Sequence, residues 1–151
     1  MHKLLLTLVT CQAVWLLDVH DLRAQDSRIS ATPPQITWIE DPKLAVAEAQ
    51  RQRRPMLLYV TADSCGYCRK MERDSWSNTS VANCVHQQFV PLKLDAEKDE
   101  QLVAQLGVRG YPATIVLDAE GQHVQTIEGF VGPEKLLKAL ENRSTQQNPR
   151  R

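Results

Sequence analysis

Apolar residues fall into short runs that switch between two periods along the chain. Met56-Leu57-Leu58-Tyr59-Val60 is unbroken, the pattern of a strand covered on both faces, so it is expected at the centre of a sheet. Phe89-Val90-Pro91-Leu92-Lys93-Leu94, Ala113 to Leu117 and His123 to Glu128 read as three further strands, and Ile36-Thr37-Trp38-Ile39 as a short first one. Pro91 fits a strand only where a neighbour does not need its amide. Between these runs the spacing turns helical. Asp41-Pro42 opens a helix over Lys43 to Arg53, with Asp as cap and Pro in the first turn. Val81, Cys84 and Val85 share one helical face; Leu102, Val103 and Leu106 share another, which Gly107 closes; and Pro133 starts a last helix carrying Leu136, Leu137 and Leu140. The helical segments between the strands at 56 and 89 demand a parallel, right-handed crossover. The Ala119–Gln122 turn makes the last two strands antiparallel, and a mixed sheet with helices on both faces follows.

The ends do not fit this pattern. Met1 to Leu17 is an apolar run after Lys3, too short to span a bilayer and closed abruptly by Asp18, His20, Asp21 and Arg23. That is the form of a secretory signal, so residues 1–24 are expected to be removed near Ala24 and the protein to be exported, to a periplasm or to the outside. Residues 25–35, with Pro33-Pro34, read as a flexible linker, 36–142 as the folded domain and 143–151 as a disordered tail. A chain of 151 residues holds one such domain. Eighteen basic and eighteen acidic side chains cancel, and removal of the leader leaves sixteen of each, which provides no field for a nucleic-acid backbone.

Export would also remove Cys11 and leave Cys65, Cys68 and Cys84, an odd number where cysteines usually pair. Cys65-Gly66-Tyr67-Cys68 lies just after the buried strand, at the start of a helix. Two cysteines so spaced can close a small disulfide ring. At the helix start, unpaired N–H groups favour a thiolate at Cys65, which makes Cys65 the nucleophile; Cys68, one turn inside, is placed to resolve a mixed disulfide. Gly66 lets a substrate backbone approach. Arg69 and Lys70 read as solvated helix charges, and Cys84 as an inert core thiol. Two other readings compete: a static structural disulfide in a binding module, and a zinc set of Cys65, Cys68, Cys84 and His86. His86 and His123 otherwise read as surface residues.

Pro55 to Glu72 with its CGYC centre, Phe89-Val-Pro-Leu-Lys-Leu-Asp95 and Gly107-Val-Arg-Gly-Tyr-Pro-Ala-Thr-Ile-Val-Leu-Asp118 together resemble the thioredoxin-like superfamily, in particular its exported members. The likeness spans roughly residues 36 to 141. It implies a thioredoxin fold with a four- to five-stranded sheet, a thiol-disulfide oxidoreductase that is more a reductase than an oxidant, and no bound cofactor or metal. It further implies a cis Tyr111–Pro112 bond and a substrate site shared by Gly66, Tyr67, Tyr111 and Pro112. Partners would be protein thiols and disulfides and a membrane-bound or exported electron donor, met by a monomer. Two positions depart from the family. Tyr59 stands where thioredoxins carry an Asp that assists proton transfer near the second cysteine. Ser64, preceded by Asp63, replaces the usual Trp, and the Asp63 charge would oppose a thiolate at Cys65.

Overall fold

The computed structural model describes residues 34–146, with side chains to residue 142. The leader expected over 1–24, nearly all of the linker and the last five residues lie outside the described part. Five α-helices and four strands follow one another as α1 Pro42–Gln52, β1 Met56–Thr61, α2 Gly66–Met71, α3 Thr79–Gln88, β2 Val90–Asp95, α4 Glu100–Gln105, β3 Ala113–Leu117, β4 His123–Glu128 and α5 Pro133–Gln146. The sheet order is β2-β1-β3-β4, with β1 parallel to β2 and all other pairings antiparallel. This is the thioredoxin fold.

Every residue of β1 is buried, as its unbroken apolar run requires. The odd and even positions feed two different cores. Met56, Leu58 and Val60 face α1 and α4 through Ala45, Ala49 and Val103. Leu57 and Tyr59 face α2, α3 and α5 through Met71, Val85, Leu136 and Leu140. Edge position explains how β2 tolerates Pro91: its missing N–H costs no ladder bond, and its carbonyl accepts the Ile39 N–H at 3.0 Å.

Two expectations are corrected here. Residues 36–39 do not form a strand. Ile39 alone bridges to Leu92, because Trp38 turns inward onto the rings of Tyr59 and Trp76 and Pro42 starts a helix three residues later. The sheet therefore has four strands. The last helix reaches Gln146, beyond the boundary expected at residue 142. Other local readings hold. Asp41 caps α1 by accepting the Lys43 and Leu44 N–H groups, and Gly107 leaves α4 with φ 70°.

One contact joins distant segments. The Arg54 guanidinium reaches the C-terminal end of α3, donating to His86 O at 2.7 Å and to Phe89 O at 2.6 Å. Carbonyls at a helix end lack partners within the helix, and a cation there also meets the negative end of its dipole. Replacing Arg54 with Met is expected to destabilise the fold by about 1–3 kcal/mol, seen as a lower urea midpoint with an unchanged slope. An unchanged midpoint would show that water replaces the guanidinium without loss.

Candidate active site

Strand β1 ends at Thr61, and a short exposed loop through Asp63 and Ser64 leads into Cys65, which caps α2. Cys65 and Cys68 are joined in a disulfide with their Cα atoms 5.2 Å apart. Cys65 is half-buried while Cys68 is 1% exposed, so a partner can reach only the first sulfur. The Cys68 N–H donates to Cys65 Sγ at 3.0 Å. That bond satisfies one of the free amides at the start of the helix and is the kind that favours a thiolate once the ring opens.

The opposite wall comes from the β3 side. Ala113 pairs with Val60, so Pro112 lies at the same sheet end from which the CGYC loop departs. The Tyr111–Pro112 bond is cis, the geometry implied by the family resemblance. Pro112 is buried and its carbonyl accepts the Gly129 N–H at 2.8 Å, which brings in the segment after β4. Tyr67 is 66% exposed and Tyr111 40% exposed, two large rings left in water at this end of the molecule. Gly66 is exposed too, and a Cβ built there would meet only the Arg69 side chain, at 4.0 Å.

Sequence reasoning missed part of this arrangement. Arg69 is not merely solvated, since its Nη1 donates to Asp63 O at 3.0 Å, folding a cation back over the loop that carries the opposing Asp63 charge. Lys70 is also engaged: its Nζ lies 2.5 Å from Asp74 Oδ2 and 4.5 Å from the centre of the Phe130 ring. Five residues after α2, Glu72–Trp76, continue as a π-helix, a wider coil that often occurs at functional sites. Trp76 is thereby buried against Trp38 and Tyr59, and Ser75 Oγ donates to Val131 O at 2.7 Å.

Cys84 and His86 are not brought to the pair. Cys84 is buried among the apolar residues of α3 and α5, and burial pushes its thiol up to about 11. His86 is exposed, with Nε2 2.9 Å from Gln35 O, and that contact ties the last residue of the expected linker to α3. Among the described residues no three His, Cys, Asp or Glu side chains form a metal cluster. His123 is likewise exposed, beside Thr126 Oγ1 at 2.8 Å.

The fold and the paired cysteines define a thioredoxin-like domain with a CxxC-spaced disulfide. The chain belongs to the thioredoxin-like domain family, whose signature matches residues 42–144. A thioredoxin-like protein of Synechocystis is 34% identical over 93 residues, covering 62% of this chain and 82% of that protein. The thiol:disulfide interchange protein DsbD of Ralstonia nicotianae is 33% identical over 101 residues, covering 64% of this chain and 16% of its own length. The chain thus spans less than a fifth of the DsbD relatives it matches. Among solved structures, a thioredoxin from Thermus thermophilus superposes with a TM-score of 0.68 at 22% identity, covering 76% of this chain and 91% of that one. An oxidoreductase named DsbH gives 0.67 at 21% identity, covering 79% and 90%.

Proposed function

We propose that the protein is an exported thiol-disulfide oxidoreductase that reduces protein disulfides. Cys65 is the nucleophile and Cys68 the resolving thiol. The observation that carries this reading is the asymmetry of the pair: one sulfur reaches solvent at a helix start and accepts an N–H bond, while the other is buried one turn inside. The reduced Cys65 thiolate attacks a substrate disulfide and forms a mixed disulfide. Cys68 then attacks Cys65 Sγ, and the substrate leaves with both of its sulfurs reduced. Gly66, Tyr67, Tyr111 and Pro112 form the surface on which an extended substrate segment lies, paired through the Tyr111 backbone. Electrons return from a membrane-bound or exported dithiol donor. Likeness to the thiol:disulfide interchange proteins named DsbD supports the exchange chemistry, and the apolar run before Asp18 supports export.

The test is a redox equilibrium of the purified domain against graded glutathione, with the Cys65 and Cys68 state read by thiol alkylation and mass. A reductase is expected to poise near about −270 mV, and an oxidant near about −120 mV. A bridge that stays closed under all but the strongest reductant would overturn the enzymatic reading in favour of a structural disulfide.

A further inference from the structure

Beside the half-buried Cys65, a cation is fixed in place without being neutralised. Arg69 follows Cys65 by four residues and Gly66 by three, a spacing that puts them on one helical face, and its N–H donates to Cys65 O at 3.3 Å. Helical side chains lean back toward the start of their helix. The Arg69 guanidinium does so: Nη1 donates to Asp63 O at 3.0 Å, and Nη2 lies 4.0 Å from where a Cβ on Gly66 would stand. The side chain is exposed, so its charge sits at the rim of the Cys65–Gly66 surface.

The acceptor at Asp63 is a peptide oxygen, which holds the charge but does not cancel it. Among the described residues no carboxylate forms an ion pair with Arg69, whereas the other cations around α2 are matched. Lys70 and Arg73 pair with Asp74, Lys93 with Glu72 and Lys98 with Asp95. A loose arginine must give up rotamer freedom to bind an anion, and Arg69 has already given up part of it. The bond to Asp63 O uses one N–H and leaves others of the planar fork to water, the fork that grips a carboxylate through two parallel bonds. Two further charges bear on this surface. Arg109, exposed two residues before Tyr111 on the opposite wall, favours the same sign of ligand, and the exposed Asp63 side chain opposes it. Glu97 and Glu128, the other exposed carboxylates at this sheet end, belong to the flanking strands β2 and β4 and not to the loop that leaves β1.

We infer that Arg69 is a specificity-determining residue, and that the favoured substrates are polypeptide disulfides with an acidic side chain next to the attacked cysteine, whose carboxylate Arg69 binds. This rests on the exchange reaction proposed above and names the substrates that reaction prefers.

The probes are three peptide disulfides, alike except for Glu, Gln or Lys beside the reacting cysteine. The reduced full chain is mixed with each, and kcat/KM for peptide reduction is compared. Wild type is expected to prefer the Glu peptide to the Lys peptide by about twofold to thirtyfold at low salt. That ratio should shrink toward one between about 0.01 M and 1 M salt, as the Debye length falls from about 30 Å to about 3 Å. Arg69→Gln should bring the low-salt ratio toward one, Arg69→Glu should invert it, and Arg69→Lys should keep part of it. Asp63→Asn should widen it. A cation that acted only on the Cys65 thiolate would speed all three peptides alike, so the ratio separates the two roles. If wild type reduces all three at one rate, if Arg69→Gln scales the three rates by one factor, or if Arg109→Gln removes the preference and Arg69→Gln does not, the role of Arg69 is overturned while the oxidoreductase reading stands. If wild type reduces none of the peptides, that reading falls and the selectivity falls with it.

Discussion

A Cys68→Ser protein is expected to hold its partners covalently through Cys65, as adducts that survive non-reducing electrophoresis and collapse with dithiothreitol. In the intact pair, Cys68 sits one turn from Cys65, and its attack is intramolecular. Well-oriented intramolecular attack carries effective concentrations of about 10⁵ M or more, whereas an outside thiol at millimolar levels must find the mixed disulfide by collision. Losing Cys68 should therefore lengthen the adduct's life by at least about 10³-fold. Cys65→Ser should trap nothing, because the remaining sulfur is 1% exposed. Cys84→Ser should leave trapping as it was, its side chain lying in the core between α3 and α5. Adducts carried by Cys84, or captured equally by Cys65→Ser, would reverse the assignment of nucleophile.

The second large effect is on stability in alkali. Cys84 is pushed by burial, with the Glu141 charge adding to it, from an ordinary 9.0 to about 11, and Tyr59 from 10.0 to about 12. Both are neutral when protonated, and the folded state keeps the proton longer than the unfolded chain does. Their contribution is thus fully present below about pH 9 and is lost as pH rises through the folded values. Two units correspond to about 2–3 kcal/mol per group, so the pair removes roughly 5 kcal/mol between pH 9 and 12. A domain whose whole stability is about 5–15 kcal/mol should then unfold or come close to it. Urea midpoints taken from pH 7 to 12 check this. They should stay level to about pH 9 and then fall steeply, and Cys84→Val should remove the earlier part of the fall. A level curve through pH 11, or a parallel one for Cys84→Val, would contradict it.

Much of this architecture is legible in the sequence because single residues announce it. Met56 to Val60 marks the central strand, Asp41-Pro42 a capped helix start, and Gly107 and Pro133 an end and a beginning. The CGYC turn and Gly110-Tyr111-Pro112 mark two walls of the site. What escapes such reading depends on contacts between segments far apart in the chain. Arg54 sits in an Arg-Gln-Arg-Arg run that looks like a solvated helix end, yet its carbonyl partners lie 31 to 35 residues away. Glu72 to Trp76 has no local pattern distinguishing a π-helix from an α-helix; the packing of Trp76 and the Ser75–Val131 bond decide it. The Ile36–Ile39 run misleads because Trp38 spends its apolar surface on an aromatic cluster rather than on a ladder. The pairing of Lys93 with Glu72 appears only when the register puts Lys93 beside Tyr59.

That aromatic cluster has an optical consequence. Trp38 and Trp76 lie 5.6 Å and 5.4 Å from the Tyr59 ring, whose hydroxyl is bonded to Cys68. Ultraviolet emission from these two indoles therefore samples a shell one side chain removed from Cys68. An untagged, unlabelled sample carries its own lamp, set in the core and one hydrogen bond from the bridge.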